Sequence, residues 1–169
     1  MSVVKHFREL RVYREAFESA MQIFEYSKQW PKEERYSLTD QIRRSSRSVC
    51  EQIAEAWRKR RYIAHFRSKL TDADSEAAET QSWLEFALRC GYITQPVFDE
   101  LDAAYEKVSG GLVNMMANAD QWCTSSSQVR EDGTKGLTHS HTHKHGGEQP
   151  IRINCLMKRR LTPQLGRNS

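Results

Sequence analysis

The sequence contains almost none of the patterns that mark membrane-spanning, secreted or metal-binding proteins. No stretch approaches the roughly 20 consecutive apolar residues of a membrane span, and the N-terminus lacks the apolar run of a signal peptide. The four cysteines are dispersed, so no pair has the Cys-x-x-Cys spacing of a zinc or redox site. We therefore predict a cytoplasmic protein with reduced thiols and no membrane partner.

Catalytic motifs are also missing. The chain has neither of the glycine-rich loops that cradle phosphates, Gly-x-x-x-x-Gly-Lys and Gly-x-Gly-x-x-Gly, and its Gly110-Gly111 pair lies in a helical pattern with no preceding strand. His6 and His65 fall on separate predicted helices, and the Glu-x-x-His pair that a di-metal helical bundle requires does not occur. We predict no catalytic residues, no metal site and no cofactor, and hence a protein that is not an enzyme.

Aromatic residues are absent from the last part of the chain, because Trp122 is the last of the 16. Residues 124–169 hold five of the eight glycines and show no sustained apolar period, so they cannot bury enough surface to offset the entropy of ordering. The sequence predicts one folded domain over residues 1–123 and a disordered basic tail over residues 124–169. The tail has alternate histidines, His139, His141, His143 and His145. We interpret these histidines as an adventitious metal binder.

Within residues 1–123 the apolar residues recur every three or four positions, which is the period of an amphipathic helix. A first helix is predicted over about residues 7–29, with the core stripe Phe7, Leu10, Tyr13 or Arg14, Phe17, Met21 and Phe24. A second helix is predicted over about residues 34–59, with the core stripe Leu38, Ile42, Ser46, Val49, Ile53 and Ala56 or Trp57.

The third and fourth predicted helices have equally regular stripes. The third stripe is Phe66, Leu70, Ala73, Ala77, Thr80, Leu84 and Ala87, and it ends at Cys90-Gly91, where glycine suits a left-handed cap. The fourth helix follows a predicted N-cap at Thr94, has Pro96 in its first turn, and its stripe is Phe98, Leu101, Tyr105, Val108, Leu112, Met115, Ala119 and Trp122. Four amphipathic helices with short connections predict an all-α fold, an up-down-up-down four-helix bundle.

The basic residues are concentrated in one segment. Residues 43–69 have nine Lys and Arg against two acids, a local charge of +7, whereas residues 70–106 have nine acids against one Arg, a local charge of -8. One interpretation is that neighbouring helices of opposite charge attract each other. The other is that the basic segment binds phosphates, because guanidinium groups match phosphate oxygens. The candidate nucleic-acid-binding residues are Arg43, Arg44, Arg47, Arg58, Lys59, Arg60, Arg61 and Lys69.

The second predicted helix also has a polar line opposite its apolar stripe. Gln41, Ser45, Ser48, Gln52 and Glu55 are spaced by four, three, four and three residues, so they share one face. Small hydroxyl groups among longer polar groups would let another helix approach closely and form hydrogen bonds. A solvated face explains the same residues equally well.

Three segments together resemble a known family. They are Phe7-x-x-Leu10-x-Val12-Tyr13-x-x-Ala16, Glu34-x-Tyr36-x-Leu38-x-x-Gln41-Ile42-Arg43-Arg44-Ser45-x-x-Ser48-Val49, and Ile53-Ala54-Glu55-Ala56. With their helix spacing they are similar to the bacterial four-helix-bundle family known as ribosomal protein S23, or 23S rRNA intervening-sequence protein. One position departs from the family pattern, because Ala56 stands where members usually have glycine.

The resemblance implies a homo-oligomer, usually a pentamer, without catalytic activity. It marks Gln41, Ser45, Ser48 and Glu55 as family-matching polar residues and leaves their role open. Our leading hypothesis is a non-enzymatic oligomeric bundle that binds structured RNA or a ribonucleoprotein partner through its second helix. One alternative is an accessory subunit of a diversity-generating retroelement that binds reverse transcriptase, since the related accessory variability proteins resemble this family. The other alternative is a purely structural or protein-interaction module.

Overall fold

The computed structural model describes residues 4–123, and the predicted tail lies outside the described residues, so the predicted domain boundary stays a prediction. Four long helices, α1 to α4, span Arg11–Ser27, Asp40–Lys59, Ile63–Arg89 and Gln95–Ala117, and a short helix, α5, spans Ala119–Trp122. No strand occurs within residues 4–123, and the all-α prediction is confirmed. None of the helices in this range is both long and apolar enough to cross a membrane.

The four long helices form an antiparallel bundle in which α1 and α3 each pack against α2 and α4. Contacts between helices join early residues of one to late residues of the next. Nε of Arg67, at the start of α3, donates to the carbonyl of Met116, at the end of α4, over 3.1 Å. Nε2 of Gln81 donates to Oδ1 of Asp102 over 2.8 Å farther along the same pair. The predicted up-down-up-down topology is confirmed.

Helix α3 follows its sequence pattern closely. All seven residues of its predicted stripe, and no others of the helix, are buried. The helix ends in a Schellman motif, in which the amide of Tyr92 donates to the carbonyl of Ala87 over 2.8 Å and that of Gly91 to Leu88 over 2.9 Å. Gly91 has φ of 75°, so the predicted left-handed cap is confirmed.

The predicted core stripe of α1 is confirmed at Leu10, which is buried, and in part at Phe7 and Tyr13, which pack against the core, but it is wrong at Phe17 and Met21. The side chains of Phe17 and Met21 are 46% and 43% exposed. The helix begins only after Leu10, whose ψ of 129° is extended, so Phe7 and Leu10 are out of phase with the rest of α1. The residues of α1 that are buried are the smaller Val12, Ala16, Ser19, Ala20, Ile23 and Ser27.

Two predicted helix starts also need correction. The second predicted helix begins with a 3₁₀ turn, Lys32–Glu34, and a π-helical turn, Arg35–Thr39, before regular α2 begins. Thr94 does precede α4, but its side chain makes no capping hydrogen bond. The predicted stripe of α2 is buried throughout, and that of α4 is buried except at its ends, where Phe98 and Trp122 are half-buried.

A candidate nucleic-acid interface

The polar line of α2 lies against α3. Ser45 is only 1% exposed, and its Oγ lies 2.9 Å from Oγ1 of the buried Thr80. Nζ of Lys69, on α3, donates to Oε1 of Gln52 over 3.1 Å. Gln52 lies about one helical turn before Glu55, the last residue of the polar line. The line therefore flanks the apolar stripe and does not oppose it. The polar line is interpreted from its sequence either as a contact with another helix or as a solvated face, and the Ser45–Thr80 hydrogen bond supports the helix contact.

The two lysines predicted to bind nucleic acid belong to an ion cluster at this α2–α3 contact. Glu55 accepts from Nζ of Lys59 over 2.6 Å and from Nζ of Lys69 over 3.1 Å. Lys69 also lies 3.2 Å from Asp72. Hydrogen bonds from Lys59 and then Lys69 lower the pKa of Glu55, and those to Glu55 and Asp72 raise the pKa of Lys69. Both ammonium groups are thus engaged within the bundle.

Removal of one cation from this cluster is expected to shift the titration of Glu55. In Lys69→Met the pKa of Glu55 should rise toward its ordinary value, because one of its two cationic donors is gone. The folded pKa is below the unfolded one, so the cluster stabilises the fold at neutral pH, and this contribution is lost as pH falls through the folded pKa. An NMR titration of the Glu55 carboxyl measures the shift. Lys107→Met, on exposed α4 surface, should leave the titration unchanged.

Arg43 and Arg47 extend from α2 over α1. Nε of Arg43 donates to Oγ of Ser27 over 2.7 Å. The guanidinium carbons of Arg43 and Arg47 lie 4.9 Å and 5.7 Å from the centre of the Phe24 ring, within the range of cation–π attraction. These contacts hold the two arginines at the outer edge of the α1–α2 seam.

Arg60 closes the end of the bundle at which α2 meets α3. Its Nη1 donates to the carbonyl of Trp57 over 2.8 Å, and its guanidinium carbon lies 4.0 Å from the centre of the Trp57 ring. Trp57 packs edge-on against Trp122 of α5, at 6.4 Å between ring centres. Arg60 is therefore a fixed cation at this end of the bundle.

Three arginines of the predicted set, Arg44, Arg58 and Arg61, are exposed and have few or no partners among the described residues. Arg44 donates only to Gln41, over 2.6 Å. Arg58 and Arg61 have neither a hydrogen bond nor an ion pair through their side chains to any residue between 4 and 123. We call Arg58, Arg60, Arg61 and Arg67 the basic end of the bundle. They surround the α2–α3 turn, where the side chain of Tyr62 is also exposed.

No arginine of residues 43–67 lies within 4.0 Å of a carboxylate oxygen of the described residues. Arg44 comes near Glu76, whose pKa is raised by burial and by Glu79 and lowered by this arginine, but the two form no ion pair. Gln81 instead donates to acids of α4, Asp102 and Glu106. Within residues 4–123 the arginines of the basic segment thus form no ion pair with the acidic helices, although Arg44 attracts Glu76 electrostatically across the α2–α3 contact.

Metal-binding side chains do not cluster in the part of the chain that the structure describes, where no group of three or more His, Cys, Asp or Glu could hold an ion. The alternating histidines of the predicted tail lie outside this part. The thiol of Cys50 is buried, which raises its pKa to about 12 and makes it a poor nucleophile.

Together these features define a class of protein: an antiparallel four-helix bundle whose second helix carries arginines that form no ion pair with the carboxylates of residues 4–123. A sequence model described as 23S rRNA-intervening sequence protein matches residues 8–114. The chain belongs to this family, and the resemblance seen in the sequence is confirmed.

One solved structure supports the same assignment. It is a protein of unknown function from the S23 ribosomal protein family of Bacteroides thetaiotaomicron VPI-5482. Its sequence is 29% identical, the match covers 63% of this chain and 96% of that one, and the TM-score is 0.57. None of the curated proteins compared with the chain matches it.

Proposed function

We propose that the protein is a non-enzymatic, self-associating four-helix bundle that binds structured RNA, or a ribonucleoprotein partner, through arginines of α2 and the basic end. The observation that carries this proposal is the contrast between lysines and arginines of one segment. Lys59 and Lys69 bind Glu55, whereas Arg44, Arg58 and Arg61 are exposed and lack a carboxylate among the described residues. Guanidinium groups left free of protein carboxylates are suited to bidentate contact with phosphates.

The predicted residues differ in their suitability for this role. Arg44, Arg58 and Arg61 can reach a ligand without breaking a contact to another helix, and Arg60 is held in place by Trp57. The exposed ring of Tyr62 beside the basic end adds a surface on which an unpaired base can stack. Arg43 and Arg47 contact Phe24, so we assign them a lesser part in RNA binding.

A triple substitution tests the RNA proposal. Arg44→Ala/Arg58→Ala/Arg61→Ala should weaken binding to a synthetic hairpin RNA by about 100-fold, if each lost charge-assisted contact is worth about 1 kcal/mol. The slope of log affinity against log salt should fall by about one unit per arginine. Fluorescence anisotropy of the labelled hairpin over a series of salt concentrations measures both quantities in the full chain.

A charge-matched control separates specific contacts from the general attraction of RNA to cations. Arg11→Ala/Arg89→Ala/Lys107→Ala removes the same number of exposed positive charges from other parts of the bundle. This variant should bind nearly as well as the unchanged protein. If both triple variants bind equally, or if the unchanged chain shows no salt-dependent binding, the RNA proposal is wrong and the purely structural alternative is favoured. Recovery of a reverse transcriptase with the chain would instead favour the retroelement alternative.

A further inference from the structure

Tyr62 is held in an exposed position by the backbone of the α2–α3 turn. Its amide donates to the carbonyl of Lys59 over 3.0 Å, and its carbonyl accepts from the amide of Phe66 over 2.9 Å. The residue stands between the end of α2 and the first turn of α3, with φ of -126° and ψ of 109°. It is nevertheless 65% exposed. A turn that is fixed on both sides therefore presents an aromatic ring to solvent.

The ring of Tyr62 has an open face. It contacts the ring of His65 edge to face, at 66° and 5.7 Å between ring centres, and such a contact covers at most one of its two faces. None of the cation–π contacts within residues 4–123 involves this ring. By contrast, the guanidinium carbon of Arg35 lies 5.8 Å from the centre of the exposed Tyr36 ring. An open aromatic face on a fixed backbone is a surface on which another flat ring can stack.

Cations surround this ring in the sequence, without acids among them. Residues 57–67 contain five Lys and Arg and no Asp or Glu. Glu55, earlier on α2, is already held by two lysines. Asp120 of α5 lies near this end of the bundle but forms no ion pair with any residue between 4 and 123. The four arginines of the basic end therefore give the surroundings of the ring a surplus of positive charge, which attracts phosphates.

The surroundings of the ring favour a nucleic acid over a protein as its partner. Among residues 58–67, Ile63 is the only other large hydrophobic residue that is exposed, whereas the centre of a protein interface is apolar. An unpaired nucleotide needs a flat surface for its base and cations for its phosphates, and both are present here. In a double helix both faces of an internal base are covered by the neighbouring bases. Only the arginines could then contribute to binding.

We propose that Tyr62 stacks on an unpaired base of structured RNA, as in a hairpin loop, while arginines of the basic end bind the phosphates that flank this base. The inference rests on the RNA binding proposed above and names the class of RNA, one with unpaired bases. The arginines supply the salt-dependent part of the affinity, and the ring supplies the preference for a loop over a paired stem. Arg60 and Arg67 donate to backbone carbonyls, so two of the four cations are held in place near the ring.

Removal of the ring and removal of the bases test this contact from its two sides. One probe is a labelled RNA hairpin with a loop of adenosines, and the other is the same hairpin with abasic nucleotides in the loop, which keeps every phosphate. The unchanged chain should bind the adenosine loop about tenfold more tightly, as expected for one stacked base. Tyr62→Ala should bind the two hairpins with nearly equal affinity. Fluorescence anisotropy measures the four affinities, which form a double-mutant cycle.

Salt dependence and matched variants separate stacking from charge. Tyr62→Ala removes no cation, so the slope of log affinity against log salt should not change, whereas the triple arginine variant described above should reduce it. Tyr62→Phe keeps the ring and should bind the adenosine loop like the unchanged chain. Tyr36→Ala removes another exposed tyrosine, before the start of α2, and should have no effect. Circular dichroism should show a native helix content for all three variants, since both tyrosines lie at the surface.

The outcomes distinguish this inference from the RNA proposal. Salt-dependent binding that is equally strong for both hairpins, or a Tyr62→Ala variant that still prefers the adenosine loop, would overturn the stacking inference alone. The ring would then be available for a protein contact. A Tyr36→Ala variant that loses as much affinity as Tyr62→Ala would also overturn the inference. If the unchanged chain binds neither hairpin, the RNA proposal and the stacking inference are both wrong.

Discussion

Replacement of Phe66 by alanine is expected to lower the free energy of unfolding by about 3–5 kcal/mol. Phe66 lies in the first turn of α3 with none of its surface exposed, and its removal leaves a cavity that close-packed neighbours fill only in part. The whole stability of a domain of this size is about 5–15 kcal/mol. The variant should therefore lie close to the limit of folding. Urea unfolding followed by circular dichroism measures the loss.

Phe17→Ala is the matched control for this prediction, since the sequence pattern assigns both phenylalanines to the core. In protein dilute enough to be monomeric, the change should alter the free energy of unfolding by no more than about 0.5 kcal/mol. Phe17 is about half exposed and is not a core residue, so much less buried surface is lost than at Phe66. Equal losses in the two variants would mean that α1 is rotated, with Phe17 and Met21 turned toward the core.

The buried face of the third helix could be predicted closely because its sequence contains one regular stripe along its whole length. This stripe of apolar and small residues is buried at every position, although Trp83 and Phe86 lie outside it, and a glycine with positive φ ends the helix. Local spacing and turn chemistry agree with the tertiary packing there. Under these conditions the period of the pattern is enough to identify the buried face.

The buried face of the first helix could not be predicted from its sequence because two of its faces are apolar. The face with Phe17 and Met21 is the more hydrophobic by residue size, and the pattern therefore favours it. The buried face is the one with Val12 and Ala16, whose smaller side chains allow α1 to approach α4 at Gly111. The distance between two helix backbones depends on both helices, so it cannot be predicted from the sequence of α1 alone.

The contacts of the candidate site could be predicted only in part, because they too depend on the packing of two helices. Charge alone identifies the basic segment, in which Arg44, Arg58 and Arg61 are exposed. It cannot separate Lys69, which binds Glu55 and Gln52 across the α2–α3 contact, from Arg58, which binds nothing among the described residues. The small Ser45 was the available signal for that contact, since a buried serine allows two helices to approach.

Alanine substitutions at the adjacent glycines of α4 are expected to have opposite effects. Gly110→Ala should raise the free energy of unfolding by up to about 1 kcal/mol, because alanine favours the helix and nothing lies within 4 Å of the new Cβ. Gly111→Ala should lower it by about 1–2 kcal/mol. Its Cβ would overlap with Cγ1 of the buried Val12, and overpacking costs about 1–3 kcal/mol against the same gain in helix propensity.

A double-mutant cycle with Val12→Ala isolates the contact between α1 and α4. Val12→Ala removes the atom with which the new Cβ would overlap, so Gly111→Ala in that background should no longer be destabilising. Gly110→Ala should change the free energy of unfolding equally in the presence and absence of the Val12 side chain, because a Cβ at residue 110 does not contact Val12. Thermal and urea unfolding of the four proteins in each cycle supply the energies. A Gly111→Ala variant as stable as Gly110→Ala would show that α1 and α4 lie farther apart, with room for a side chain between them.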